Sequence, residues 1–457
     1  MDSFSINSEQ TSSKISYRMS TLSAEETSHP AAREQTLTKA HFLRFAMFRA
    51  MRHRNFRLYI FGQSISLIGS WMQSTAQAWL VYELTRSSFW LGMIGFLGSM
   101  PLMLLSVFTG AVADRWPKRG LLVLTQVVAM LLAFIFAALV WENLITITWI
   151  GVLALGLGIV TAFEWPTRQA FVVELVGKDD LANGIALHSA VFNSARLLGP
   201  AIGGVLIALI GIAWCFFLNG ISYLAVIAGL WMMRLPRRSF SSATTSSIKK
   251  SLGESFAYVR QTKAVLGLLI LVALVTIFGW SFSVLLPVFA GEILKGDALT
   301  LGKLMSAMGT GALFSALAVA AIGNRIAPRR ILFSGLTILV ISVCCFAISK
   351  SLYWSMGLLV VVGFGLITFY ITANTALQRR VPDHLRGRAM GIYAVAFGGL
   401  MPIGSLQAGI MAEKFGAMWT VIIGAVICAL AGYVVSRMVP PSQSSQQATS
   451  GTTEVVT

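Results

Sequence analysis

One arginine interrupts an apolar stretch of the chain and is followed by a Gly-Pro motif. Arg196 lies in NSARLLGPAIGG (193–204), within an apolar run over 184–210 that is long enough to cross a membrane. A charge at that depth cannot reach the membrane surface, so we expect Arg196 to face the interior of a helical bundle. It would there bind an anionic group of a solute or set the charge of a cavity. The alternative is a hydrogen-bond hub to backbone carbonyls and to Asn193.

Two further groups inside apolar runs could carry a proton. Glu164 lies near the end of the run 146–169. A proton-coupled carrier needs a protonatable group of this kind, which makes Glu164 a candidate coupling residue. Arg168 follows it at i+4, so a salt bridge that latches the helix end is the stronger alternative. His188 is a second coupling candidate, because histidine titrates near neutral pH, although a lone histidine in an apolar helix is more often a packing residue.

Polar side chains also form a stripe along the first apolar run. Steps of three and four residues place five of them on one helical face: Gln63, Ser66, Ser70, Gln73 and Gln77. Because polar groups lack partners in lipid, this face is expected to line a wet cavity. The alternative is hydrogen bonding between helices, which stabilises by about 0.6–2 kcal/mol per contact. Further candidates for the lining of a solute pocket are Trp71, Trp79, Asn193, Phe282, Phe369, Tyr370 and Asn374.

The elements that position these residues are membrane helices. Of the 457 residues, 56% are hydrophobic and 12% are charged, whereas a soluble domain carries about 25% charged residues. The sequence predicts a polytopic all-α membrane protein. Its twelve predicted spans are about 57–82, 89–112, 120–140, 146–169, 184–210, 213–233, 264–290, 299–321, 330–349, 352–377, 389–411 and 416–437.

Basic residues are distributed unevenly over the connections between these spans. The net charge is +17, and most lysines and arginines fall on one side of the predicted membrane. This pattern predicts that both termini are cytoplasmic and that the protein lies in the cell (inner) membrane, where the basic surface meets anionic lipid. We expect no nucleic-acid partner. The four cysteines lie in apolar segments without CxxC spacing, so neither a disulfide nor a metal site is expected, and no cofactor is indicated.

The chain divides into two similar halves. At an offset of 210 residues Gly69 falls on Gly279, and Arg119 falls on Arg329. Repeats of six helices in the same orientation predict two six-helix bundles related by a pseudo-twofold axis along the membrane normal. The predicted parts are a disordered tail with a basic amphipathic end over 1–50, bundles over 51–233 and 264–437, a cytoplasmic linker over 234–263, and a second disordered tail over 438–457.

The loop GAVADRWPKRG (110–120) resembles the signature loop between helices two and three of the major facilitator superfamily. Pro117 stands where that family usually has glycine. The corresponding loop of the second half, AAIGNRIAPRR (320–330), has Asn324 in place of the aspartate. The resemblance implies a gating loop at the cytoplasmic face, for which the candidates are Gly110, Asp114, Arg115, Arg119, Arg168, Arg325 and Arg329.

GPAIGG (199–204) resembles the antiporter motif of the same superfamily. Gly199, Gly203 and Gly204 lack side chains along one helix face and are expected to permit tight contact with the other half, and Pro200 bends the helix. The resemblance implies that this helix packs at the interface of the two halves.

Three longer stretches resemble the transmembrane secretion effector branch. They are NFRLYIFGQSISLIGSWMQSTAQAWLVYELT (55–85), PTRQAFVVELVGKDDLANGIALHSAVFNSARLLGPAIGG (166–204) and VPDHLRGRAMGIY (381–393). The resemblance implies a secondary transporter that exports a hydrophobic or amphipathic small molecule, of the drug, macrolide or siderophore class, in exchange for protons.

Other functions fit the sequence less well. An uptake carrier of the same superfamily is the runner-up. A non-transporting sensor would be expected to carry a soluble output domain. An enzyme is not expected, since the apolar segments contain no HExxH, GxSxG or GxxxxGK[ST] motif. We expect the carrier to act as a monomer.

Overall fold

A computed structural model describes residues 49–177, 179–234, 259–322 and 326–438. A short 3-10 helix, Arg49–Arg52, precedes the first long helix. Of the predicted basic amphipathic end of the N-terminal tail, only the last residues are described. The residues from Arg54 onward belong to the first long helix. Twelve long helical segments are found in these ranges: α1 (Arg54–Thr85), α2 (Ser88–Arg115), α3 (Lys118–Trp141), α4 (Ile147–Val176), α5 (Leu181–Ile210), α6 (Ile212–Met232), α7 (Lys263–Ile293), α8 (Ala298–Ile322), α9 (Pro328–Ile348), α10 (Leu352–Arg380), α11 (Leu385–Phe415) and α12 (Ala417–Met438).

Eleven of these segments are long and apolar enough to cross a membrane, within the part of the chain that the structure describes. The exception is α1, which is nonetheless 32 residues long. Its mean hydropathy is lowered by the polar stripe and by Arg54 and Arg57. Because α1 lies between α5 and α6, its polar groups can find partners inside the bundle rather than in lipid.

The two halves repeat the same helix contacts. In the first half α1 packs on α5 and α6, α2 on α4, and α3 on α4 and α6; the second half repeats each of these pairs six helices later. The largest contacts between halves are α5 with α8 and α2 with α11, which the same operation exchanges. The protein is therefore an all-α membrane protein of two six-helix bundles related by a pseudo-twofold axis, as predicted.

Close contacts between the bundles lie toward one end of the helices. We call the end that carries Arg115, Arg119 and Arg329 the basic end, and the opposite end the far end. A Cβ on Gly204 of α5 would lie 3.0 Å from the carbonyl oxygen of Ala298 on α8, and one on Gly92 of α2 would lie 2.5 Å from that of Ser405 on α11. Both contacts are in the far half of the helices, so glycine backbones join the bundles there.

Glu413 adds a polar contact at the far end. Its Oε2 atom accepts hydrogen bonds from Ser87 Oγ at 3.0 Å and from the backbone nitrogen of Phe89 at 3.1 Å. A carboxylate of the second bundle thus meets the N-terminus of α2 in the first, where the helix dipole favours negative charge.

α7 and α11 are interrupted near mid-membrane. A π-helical turn covers Val275–Gly279 in α7, and another covers Val395–Gly399 in α11. Such turns are rare and occur frequently at functional sites. In a membrane an irregular backbone is tolerated only inside protein or beside a cavity. The two breaks therefore mark the part of the second bundle that faces the site described below.

The segment before α1 is held to the start of α5 by a charge cluster. Asp180 contacts Arg49 at 3.2 Å, Arg52 at 3.5 Å and His53 at 3.0 Å. The hydrogen bond from His53, together with the charges of Arg49 and Arg52, lowers the pKa of Asp180 below the usual 3.8. Ionised Asp180 therefore stabilises the folded protein at pH values above its usual pKa. This stabilisation is lost as the pH falls through the lower pKa of the folded state.

We predict that Asp180→Asn releases the segment before α1, because the neutral amide loses its attraction for the three basic side chains. Trypsin digestion of the purified protein at pH 8 should then cleave after Arg49 and Arg52 several-fold faster than in the wild type. Asp179→Asn, at the exposed neighbouring position, is the control and should behave as the wild type. Equal cleavage rates in all three proteins would contradict the assignment.

Candidate functional site

Arg196 lies between aromatic rings of the two bundles. Its side chain is 3% exposed, and its guanidinium carbon lies 5.7 Å from the ring centre of Trp71 on α1 and 4.9 Å from that of Trp280 on α7. Desolvated cation–π contacts of this kind contribute about 2 kcal/mol. The arginine therefore connects the bundles through a charge held against two rings.

Aromatic residues extend this arrangement on both sides. Phe192 lies 5.8 Å from Trp71 on the first bundle, and Trp280 lies 5.9 Å from Tyr370 and 6.4 Å from Phe397 on the second, measured between ring centres. The result is a nearly continuous aromatic wall around one buried charge. Such a wall suits a flat, apolar solute.

The guanidinium has few polar partners. Its Nε and Nη2 atoms are buried without a hydrogen-bond partner, and no ion pair in the described ranges includes Arg196. Asn193 donates its amide to the backbone oxygen of Ser189 at 2.8 Å, and its Oδ1 atom does not accept from Nε or Nη2 of Arg196, which have no partner. The structure therefore leaves two donors of Arg196 unused at the junction of the bundles.

A second buried polar cluster lies inside the first bundle. Glu164 forms an ion pair with Arg168, one turn further along α4, and both side chains are mostly buried, at 12% and 16% exposure. Gln126 of α3 donates to the same Glu164 oxygen at 3.0 Å. The described residues of α4 thus supply the carboxylate with a charged partner from its own helix.

Several polar atoms around this ion pair have no partner. Tyr59 Oη, Gln126 Oε1, Arg168 Nε and His188 Nε2 are buried without a hydrogen bond. The Tyr59 and His188 rings are nearly parallel, with their centres 6.4 Å apart. Because unpaired buried polar atoms are costly, a cluster of them marks either internal water or a site with two hydrogen-bonding states. Both coupling candidates, Glu164 and His188, belong to this neighbourhood.

The polar stripe of α1 turns into the bundle rather than into a central cavity. Gln73 accepts a hydrogen bond from Asn219 of α6 at 2.7 Å, and Ser70 contacts Tyr223 Oη at 3.5 Å. Gln63 and Ser66 are also buried, and Gln77 is half-buried. For Ser70 and Gln73 the prediction of a cavity lining is wrong, because α6 supplies their hydrogen-bond partners.

The glycines of the α5 motif divide between two neighbours. A Cβ on Gly199 would lie 2.5 Å from Trp71 Cβ, and one on Gly203 would lie 3.2 Å from the backbone oxygen of Met72, so both face α1 in the same bundle. Gly204 alone of the three faces α8. Pro200 reaches the other half through its carbonyl oxygen, 2.5 Å from a Cβ placed on Gly302. The prediction that all three glycines face the other half is wrong for Gly199 and Gly203, since both lie on the face of α5 that packs on α1.

Comparison with known families decides the membership of the chain. The model of the family described as transmembrane secretion effector matches residues 45–454. The chain belongs to the transmembrane secretion effector family. It is accordingly a transporter of the major facilitator superfamily rather than an enzyme.

Its relatives in this family include transporters of different solutes. The chain is 27% identical to the staphyloferrin A transporter of Staphylococcus aureus, over 79% of this chain and 91% of the relative. It is 25% identical to the multidrug efflux pump Tap of Mycolicibacterium fortuitum, over 79% and 89%. It is 23% identical to the enterobactin exporter EntS of Salmonella typhimurium, over 85% and 95%.

Solved structures share the fold at lower identity. A bacterial homologue of the lysosomal transporter Spinster, in an inward-facing and unoccupied conformation, superimposes with a TM-score of 0.64 at 14% identity, covering 84% of this chain and 97% of that one. The nucleoside transporter NupG superimposes with a TM-score of 0.65 at 13% identity, covering 85% and 99%.

The candidate gating loop of this family is only partly described. Arg119 at the start of α3 donates to the backbone oxygen of Trp231 at 3.0 Å, and Arg329 at the start of α9 donates to that of Ser436 at 2.9 Å. Each arginine binds near the C-terminal end of the last helix of its own bundle, where a positive charge is favourable. Arg115 is exposed, and a Cβ on Gly110 would meet open space. Arg325 and the side chain of Asp114 lie outside the described residues.

The remaining pocket candidates have different surroundings. Tyr370 bonds Thr276 at 3.0 Å and belongs to the aromatic wall. Asn374 accepts a hydrogen bond from Gln378 at 2.6 Å. Phe282 packs on Phe346 inside the second bundle, with ring centres 6.3 Å apart, so its prediction as a cavity residue is wrong.

Several site residues were not predicted from the sequence. Trp280 directly follows the π-helical turn Val275–Gly279, and Phe397 lies inside the π-helical turn Val395–Gly399; no simple sequence period reveals these turns. Trp280 does carry one signal: at the offset of 210 residues it falls one position before the equivalent of Trp71. Tyr59 lies near the polar stripe of α1, and Gln126 lies on α3. Only the packing of these helices places the two residues beside Glu164.

We predict that Gly302→Val keeps the bundles apart at the far end, because its Cβ would meet the Pro200 carbonyl oxygen at 2.5 Å. The measurement is the distance between spin labels at positions 143 and 350, after replacement of the four native cysteines by alanine. The label distance should increase relative to the parent protein.

Gly357→Val is the matched control, since a Cβ there meets nothing within 4 Å. An unchanged distance in Gly302→Val, with the control also unchanged, would show that the glycine contact does not hold the far end together.

Proposed function

We propose that the chain is a proton-coupled exporter of a hydrophobic or amphipathic small molecule and works by alternating access. Its basic end would face the cytoplasm, with both termini on that side, and the protein would act as a monomer in the inner membrane. Family membership and the relatives named as an efflux pump and an exporter support export over uptake.

The observation that carries the coupling part of the proposal is the burial of Glu164 against Arg168. An ion pair removed from water depends strongly on its charge state, because neutralising one partner leaves the other charge uncompensated. A proton on Glu164 would therefore release Arg168, which already has an unpaired Nε atom. Tyr59 and His188 lie within electrostatic or ring contact of this pair and could accept the rearranged hydrogen bonds.

Within the residues that the structure describes, the second bundle offers no comparable group. Its buried polar residues in the described ranges are hydroxyls, such as Thr276, Ser315 and Thr368. Hydroxyl groups do not change charge at physiological pH. Proton exchange is therefore proposed for the first bundle, at Glu164, and movement of the first bundle against the second would follow.

The contact pattern between the bundles supports pick-up of solute from the basic end. The glycine-mediated contacts of α5 with α8 and of α2 with α11 lie toward the far end, and the far-end contacts of Glu413 reinforce them. Solute binding beside Arg196 would precede opening of these contacts and closure at the basic end. Close glycine contacts suit such a change because they rest on shape rather than on strong bonds.

We predict that Glu164→Gln abolishes solute-dependent proton movement. In inverted membrane vesicles with an acidified lumen, ACMA fluorescence reports the proton gradient. Addition of erythromycin, ethidium or a catecholate siderophore to the outside should partly collapse the gradient for the compound that is a substrate. The Gln variant cannot lose a proton, so the gradient should remain intact.

Glu174→Gln is the control, because Glu174 lies on the same helix and pairs with Lys118 at 3.5 Å at its basic end. It should retain most of the wild-type response. A wild-type collapse of the gradient in Glu164→Gln would contradict the assignment of Glu164 as the coupling residue. An uptake carrier would give a different result: solute added outside would leave the gradient unchanged, and solute loaded into the lumen would dissipate it.

A further inference from the structure

Arg196 has an unused hydrogen-bonding edge. Its Nε and Nη2 atoms are adjacent donors on one side of the planar guanidinium, and both lack partners. Two parallel N–H groups of this kind match the two oxygens of a carboxylate. We propose that this edge is an anion-binding subsite, which takes the carboxylate of an amphipathic organic solute.

The charge balance of the site supports an anionic ligand. Arginine remains protonated in proteins, and no carboxylate of the described ranges pairs with Arg196. Arg168, in contrast, is buried with a carboxylate from its own helix. The chain thus neutralises one buried arginine and leaves the other for a partner from outside.

The position of the rings explains why the edge stays free. Trp71 and Trp280 contact the guanidinium by cation–π interactions, which use the π faces of the rings and form no hydrogen bond to Nε or Nη2. The same rings, with Phe192 and Phe397, offer apolar surface for the rest of a solute. An inorganic anion would use the donors and leave this surface empty, so an aromatic carboxylate fits the site better.

One face of α5 is partly exposed between the site and the basic end. Asn193, Phe192 and Ser189 lie three, four and seven residues before Arg196, which places them on the same face of α5. Phe192 is 36% exposed and Ser189 is exposed. Arg196 is about 15 residues from the basic end of α5, roughly 22 Å along a helix. A lipid headgroup at the surface does not reach that depth, which favours a solute as the source of the anion.

This inference rests on the proposed function, but its test needs neither a gradient nor transport. The full-length protein is placed in phosphatidylcholine nanodiscs, and binding of tritiated 2-naphthoate is measured by scintillation proximity. Neutral 2-naphthamide and cationic 2-naphthylmethylammonium serve as competitors with nearly the same ring system. The wild type should bind the carboxylate at least about tenfold more tightly than the amide, which corresponds to about 1.4 kcal/mol, and should bind the cation least.

Variants separate the anion subsite from a merely structural role. Arg196→Gln should lose the preference for carboxylate over amide, while Arg196→Lys should retain part of it through its charge. Arg86→Gln is the matched control, because Arg86 also lies over an aromatic ring, Tyr82, but at the far end of α1. It should keep the wild-type preference.

Three results would overturn the proposal. The first is equal binding of the carboxylate and the amide by the wild type, which needs no variant to fold. The second is an unchanged preference in folded Arg196→Gln. The third is competition by another anion. Displacement of 2-naphthoate by chloride at equal concentration would identify an inorganic ion as the ligand, and loss of its binding in phosphatidylglycerol discs would identify a lipid headgroup. Survival of Glu164-dependent proton movement in any of these cases would leave the proposed function intact.

Discussion

The charge of Arg196 at the junction of the two bundles is the constraint on which the rest of the site depends. A guanidinium that is 3% exposed at mid-membrane must be stabilised by its surroundings, because neither lipid nor bulk water reaches it. Trp71 supplies one aromatic ring from the first bundle and Trp280 another from the second. The breaks in α7 and α11 lie where these aromatic residues gather. Each feature by itself is unusual in a membrane helix, and together they mark one site at the junction of the bundles.

The backbone contacts at the far end explain how the bundles can be joined without being locked. Gly204 and Gly302 bring α5 and α8 together, and Gly92 and Gly409 do the same for α2 and α11. Side chains are absent at these points, so few specific bonds must break when the helices separate. The two pairs are exchanged by the pseudo-twofold axis. A rocking motion of one bundle against the other would therefore load both contacts equally, which agrees with alternating access in transporters built from repeats.

The fold could be predicted from the sequence, whereas the partners of individual side chains could not. Long apolar runs and the repeat of Arg119 at Arg329 are sufficient for twelve helices in two bundles, because lipid permits few alternatives. The polar stripe of α1 shows the limit. Its period places Ser70 and Gln73 on one face, but only the packing of α6 against α1 shows that this face meets Asn219 and Tyr223. The glycines of α5 show the same limit, since Gly203 contacts α1 and the adjacent Gly204 contacts α8.

Arg196 and the ion pair of Glu164 with Arg168 have separate proposed roles, solute binding for the first and proton binding for the second. The first bundle contains both buried charges, one at its interface with the second bundle and one in its interior. A solute would act on the interface charge and a proton on the interior pair, and α5, which carries Arg196 and His188, links the two regions. The second bundle contributes aromatic surface and the π-helical turns of α7 and α11.

Photolabelling with 4-benzoylbenzoate, an aromatic carboxylate, tests directly whether the two bundles share one solute site at Arg196. The probe is cross-linked to the protein in nanodiscs, and the modified peptides are identified by mass spectrometry. If the two bundles share a solute site at Arg196, adducts form on α1 near Trp71 and on α7 near Trp280 in the same sample, and both are lost in Arg196→Gln. Labelling confined to the lipid-facing surface, or to one bundle alone, would contradict a solute site shared by the two bundles.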